Sequence, residues 1–461
     1  MALFMLVAAN KTLTTWANVN LFKSAVVCVA IAVMCGCDQG QPMPPTLVPP
    51  TPREIIREVN VTGKITDAQT ERLAGAGEKG FDLSGLTTIT DTQAEILSKV
   101  KELELNGLIS ISDEQAESLS KVEVLCLNGL KSISDAQAES LSKVEICLML
   151  NGLTSITDEQ AESLSLSNVF QLRLNGLTFI TDAQAESLSK VKQWLELNGL
   201  TTISDRQAES LCKVEKIYLN GLTSISDGQV ESLSKVGIGL SLSGLTSITD
   251  EQAESLSNVL LLRLNGLTFI TDVQAQSLSR VETGLELSGL KSITDAQVKS
   301  LSKVQSLALN RLTCITDAQA ESLSKVEWLE LNGLTSISDK QAESLIAESL
   351  SKIEQLFLNG LTSISDEQAE ILSKVGWLEL NALTSTTDAQ AESLSKVHYL
   401  LALNALTSIT DEQAESLSNV FQLRLNGLND ITLLQAESLS KMKHLEVDKD
   451  LQPLIDKFKN E

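Results

Sequence analysis

Hydrophobic positions in this chain keep two rhythms and switch between them at a fixed place. From Glu102 the sequence reads ELELNGLISISDEQAESLSKV, ending at Val122. Leu103 and Leu105 alternate with Glu102, Glu104 and Asn106, the period of two that marks a short strand with one buried face. Asn106-Gly107 is a turn signal, and Leu108 and Ile111 are apolar anchors beyond it. Ser112 and Gln115 have the spacing of a helix capping box, and Asp113 sits in the first turn, where the helix dipole favours negative charge. Ala116, Leu119 and Val122 then fall on one narrow stripe of a short helix, with Glu117, Ser118, Ser120 and Lys121 outside it. The expected unit is strand, turn, helix.

That unit recurs about every 22 residues, from Ser84-Gly85-Leu86 to Asn426-Gly427-Leu428, after a degenerate copy, VTGKITDAQTERLAG, that starts at Val61. One copy cannot bury its leucines, whereas stacked copies cover each other. Parallel strands roughly 4.8 Å apart would make a stack of about seventeen copies about 80 Å long. Helices need more width than strands, so the strands are expected on the concave side. Arg311, Ala382 and Ala405 occupy the slot of Gly107, so an ordinary negative φ is expected there. AESLIAESL, Ala342 to Leu350, is an internal duplication expected to lengthen a helix, and SLSLSNV at Ser163–Val169 carries extra residues. Some blocks are near-identical, NVFQLRLNGL occurring twice outright, so recent duplication explains the sameness of the copies.

The motif V-x-x-L-x-L-N-G-L-T-S-I resembles the leucine-rich repeat, L-x-x-L-x-L-x-x-N-x-L, and its T-S-I turn looks like divergent bacterial forms of that repeat. The resemblance implies an α/β solenoid with parallel strands on the concave face and short helices on the convex face, acting as a binding scaffold. One departure stands out. The family's inward asparagine is a leucine here (Leu108), and asparagine lies two places earlier, at Asn106. The family's asparagine ladder is therefore expected to be absent or relocated.

The ends read differently. Lys23 precedes SAVVCVAIAVMCGC, Ser24 to Cys37, the form of a secretory signal and too short to cross a bilayer as a helix. MCGC resembles the bacterial lipobox, which implies lipidation of Cys37. The stretch before Lys23 is long for such a signal, and a true start near Leu21 is expected. QPMPPTLVPPTP, Gln41 to Pro52, reads as a stiff polyproline II spacer. DLQPLIDKFKNE, Asp450 to Glu461, places Leu451, Leu454, Ile455 and Phe458 on one helical face, as a cap over the last repeat would. The expected division is a signal over 1–37, a linker over 38–55, a solenoid over 56–447 and a capping helix over 448–461.

Composition narrows the function. The net charge of −24 repels phosphate backbones and anionic lipid, so nucleic acid is not an expected partner, and membrane contact is expected only through the lipid. No phosphate loop, metal-ligand spacing or nucleophile elbow appears, so neither an enzyme nor a cofactor is expected. The aspartate column (Asp91, Asp113, Asp135, Asp158) reads as helix starting rather than calcium chemistry. Cys126 and Cys147 fall two slots apart on neighbouring strands, too far for a disulfide. Variation concentrates in two outward strand slots. These place Trp194, Trp328, Trp377, Tyr218, Phe357, Arg173, Arg263 and Arg424 on the strand face, and aromatic and arginine side chains are what binding surfaces favour. The expectation is an exported, lipid-anchored protein of the cell envelope that binds a protein or glycan there. The alternative is a structural spacer or adhesin whose repeat number sets its length.

Overall fold

A computed structural model describes residues 49–165, 169–346 and 352–459, so the stretch expected to be a secretory signal, Cys37 and most of the proline-rich stretch lie outside the described residues. Residues from Pro50 onward form one compact unit. Among its described residues, seventeen strands, β1 (Gly80–Asp82) to β17 (His444–Val447), make a single sheet, each three or four residues long. Each strand pairs in parallel with the next copy, so that Leu103 stands beside Phe81 and Leu125. A short helix follows each of the first sixteen strands, from α3 (Asp91–Leu97) to α18 (Leu433–Ser440), a terminal helix follows β17, and consecutive helices pack on one another. This is a leucine-rich-repeat solenoid, with strands on one face and helices on the other.

The two rhythms produce the core directly. Leu103, Leu105, Leu108, Ala116 and Leu119 are fully buried, and their equivalents in the other copies join them in one continuous cluster. Burying each leucine contributes roughly 1.5–3 kcal/mol against the entropy of ordering the chain. The N-terminal boundary differs from the expected linker over 38–55. Helix α1 (Pro52–Thr62) begins inside it, capped by Thr51. Proline at the first helical position has no N–H to leave unsatisfied, so Pro52 starts a helix instead of extending a spacer. α1 buries Ile55 and Val59 and packs on α2 (Asp67–Ala74), the helix of the degenerate copy. At the other end α19 (Gln452–Lys459) buries Ile455 and packs against α18. The duplication at Ala342 does not lengthen its helix, which stops at Leu345 with Ile346 as its C-cap; residues 347–351 lie outside the described set.

Two polar ladders run the length of the stack. The asparagine ladder exists, relocated to the turn: Asn106 Oδ1 accepts from Asn128 N at 3.2 Å, Asn128 from Asn151 N at 3.0 Å and Asn175 from Asn198 N at 2.9 Å. It starts in α1, where Asn60 Oδ1 accepts from Gly85 N at 2.8 Å. The second ladder joins the helix starts. Ser112 and Gln115 close the expected capping box, but Gln115 Nε2 also donates to Ile89 O at 3.0 Å and to Asp91 Oδ1 at 2.9 Å, both in the preceding copy. The aspartate column thus accepts from the next repeat's cap residues as well as facing its own helix dipole.

The stack does not extend as a rod of about 80 Å. Arg53 in α1 donates to Asp450, just before α19, at 2.6 Å, so its two ends meet. Spacing accounts for this. Helices pack about 8–10 Å apart, strands about 4.8 Å apart, and the two layers are separated by about 10 Å. That mismatch turns each copy by roughly 20° against the last, and about seventeen copies complete one turn.

Candidate functional site

The two outward strand slots form two unbroken columns. One holds Arg173, Glu196, Tyr218, Ser241, Arg263 and Glu286 in succession. The other holds all the described tryptophans, with Trp194 beside Gln171 and Lys216, Trp328 beside Ser306 and Gln355, and Trp377 beside Gln355 and Leu400. The side chains are less exposed than outward strand slots imply: Phe357 is 5% exposed and Glu196 7%. Inward curvature is the reason, because side-chain tips on a concave face stand closer together than their backbones do.

The predicted residues gather into two clusters. In the first, the Trp194 and Tyr218 rings stack with centroids 5.1 Å apart and 16° between their planes. Lys216 Nζ lies 5.7 Å from the Trp194 ring, and the Arg263 guanidinium lies 5.2 Å from the Tyr218 ring and donates to the Tyr218 hydroxyl. Arg263 Nε is held 2.6 Å from Glu286. Arg173 reaches Glu196 at 3.1 Å one strand before Tyr218. Burial pushes the Tyr218 phenol up, and burial followed by the nearby Arg263 charge pulls the Lys216 amine down. The Trp194 indole N–H is buried without a hydrogen-bond partner.

In the second cluster, Phe357 and Trp377 meet at 6.2 Å, and Arg424 lies 5.8 Å from the Trp377 ring. Arg424 contacts Glu446 at 2.9 Å and Glu379 at 3.7 Å, while Trp377 Nε1 donates to Glu379 at 3.2 Å. Trp328 stands one strand before Phe357.

Both clusters depend on a feature not singled out in the sequence. Arg263 reaches Tyr218, and Arg424 reaches Trp377 and Glu379, across an intervening strand. The intervening residue is small each time: Ser241 beside Gly239, and Ala402. The legible signal was a small residue between two large ones in a slot that otherwise varies freely. A notch over Gly239 and Ser241, lined by Lys216, Tyr218, Leu261 and Arg263, is the result. Aromatic faces and arginines fixed by carboxylates can stack on and orient a ligand. They provide no activated nucleophile.

No family model and no curated protein matches this sequence. Among solved structures, an internalin (inlF) from Listeria monocytogenes is similar over 85% of this chain and 93% of its own, at 15% identity and a TM-score of 0.35. TLR13, in its complex with ssRNA13, is similar over 80% of this chain and 70% of its own, also at 15% identity and a TM-score of 0.35. Neither likeness bears on what this chain binds.

Proposed function

We propose that this protein is an exported bacterial scaffold, lipid-anchored through Cys37, that binds a protein or glycan on its strand face without catalysis. One observation carries the reading. The core slots repeat nearly unchanged, yet every described tryptophan falls in a single outward column, and two of the three join an aromatic–arginine cluster. Aromatic and arginine anchors of this kind dominate binding energy where they occur. The net charge of −24 favours such ligands over nucleic acid. The spacer alternative is weakened by the meeting of Arg53 and Asp450, because a stack that bends back on itself gains little reach from added copies.

The test is capture from cell-envelope extract. Trp194→Ala with Trp377→Ala is expected to lower recovery of the captured ligand at least tenfold. Recovery equal to that of the unaltered protein would remove the strand face from the reading. Palmitate labelling that is equal in the Cys37→Ser variant would remove the anchor.

A further inference from the structure

We propose that Cys126, Cys147 and Met149 form a binding site for a soft monovalent metal ion, Cu(I) or its analogue Ag(I). Strands β3 (Val124–Cys126) and β4 (Cys147–Met149) are adjacent, with Cys126 opposite Met149 and Val124 opposite Cys147. All three sulfur-bearing side chains therefore share the strand face. Cys126 Sγ lies 3.3 Å from Met149 Sδ. The three form a buried cluster of their own, apart from the leucine core, at 4%, 2% and 8% exposure, with Val124 packed at its edge.

Disulfide chemistry does not account for the pair. Two positions out of register on neighbouring parallel strands put the two Cα atoms about 8 Å apart, beyond the reach of an unstrained disulfide, and both thiols are free. A metal ion needs only the sulfurs to converge, and Met149 already touches Cys126. A donor set of two thiols and a thioether selects Cu(I) over hard cations, which require oxygen.

Charge is also provided for. Burial pushes both thiols up to about 12, so each holds its proton at neutral pH. Binding replaces those protons: two thiols and one Cu(I) give a bis-thiolate thioether complex of charge −1 and release two protons. Arg173 stands opposite Met149 in register, and its positive charge acts on both cysteines. Its Nε is buried and makes no hydrogen bond, although Glu196 Oε1 lies 3.1 Å away. The anionic complex would form beside this guanidinium.

The test uses the full chain with Cys28, Cys35, Cys37, Cys212 and Cys314 replaced by serine, titrated anaerobically with Cu(I) against a chromophoric Cu(I) chelator. One ion per chain is expected, displaced by Ag(I) and not by Zn(II), with sulfur-only neighbours in X-ray absorption. Cys126→Ala with Cys147→Ser is expected to abolish uptake. Both replacements are tolerable by the chain's own record, since Ala308 and Ala402 occupy the Cys126 column and Ser306 the Cys147 column. Met149→Leu is expected to weaken binding at least tenfold. Uptake that survives the double substitution overturns the site, as does loss of the ion to Zn(II). Undiminished affinity in Met149→Leu overturns the three-sulfur assignment.

Discussion

The glutamine of each capping box carries two jobs, only one of which its local sequence states. Gln184 Oε1 accepts from Thr181 N at 2.9 Å, and its own backbone N–H donates to the Thr181 hydroxyl at 3.0 Å. Its Nε2 donates to Ile156 O at 2.9 Å, 28 residues earlier. The side chain is buried. Gln184→Ala leaves Thr181 N and Ile156 O without partners, and a loss of about 1–3 kcal/mol is expected in urea unfolding. Gln184→Glu separates the two jobs. It keeps the capping acceptor but faces a carboxylate to the Ile156 carbonyl, so at neutral pH it is expected to be no more stable than the alanine variant. A glutamate variant as stable as the unaltered protein would show that the bond between copies contributes nothing.

At the scale of the element, the turn glycine is the informative position. No glycine of this slot has a positive φ; among the described residues only Gly63 and Gly77 do. The expectation drawn from Arg311, Ala382 and Ala405 therefore holds, yet the slot still favours glycine, for a different reason. A Cβ on Gly199 would lie 2.4 Å from Asn175 O and 2.5 Å from Leu177 O in the preceding copy. The strand ladder draws the two turns that close, and backbone carbonyls cannot rotate away as a side chain would. Gly199→Val is expected to cost about 1–3 kcal/mol in thermal or urea unfolding, the usual penalty of overpacking. A cost near zero would mean that the turns slide apart freely, as they must do to some extent at Ala382 and Ala405.

For the whole molecule, curvature is the property that matters. It brings Arg53 to Asp450, crowds the strand face and lets arginines reach across a strand. The contact itself is exposed, at 58% and 81% for its two side chains, and exposed pairs contribute little. Arg53→Glu is thus expected to leave the bend intact, because the spacing mismatch sets it. Spectroscopic labels at positions 53 and 450 should report the ends within roughly 20 Å of each other, while a straight stack would hold them about 80 Å apart on strand spacing alone. Deleting four whole copies should open the gap; labels that stay together after such a deletion would contradict curvature set copy by copy.

The sequence by itself determined the unit and its stacking. The alternation at Leu103 and Leu105, the turn at Asn106-Gly107 and the box at Ser112–Gln115 are local patterns, and local patterns fix local structure. It also named the columns that carry Trp194, Tyr218, Arg263 and Trp377, because a period-two strand fixes which side chains share a face. Only the tertiary structure decided what those columns do to one another. The partner of Gln184, the arginine over Tyr218, the relocated asparagine ladder and the sulfur cluster at Cys126 all join residues about one or two copies apart. Such contacts depend on register and on the turn between copies. Those in turn follow from the different widths of a strand and a helix, accumulated over the whole stack, which no single copy of the repeat contains.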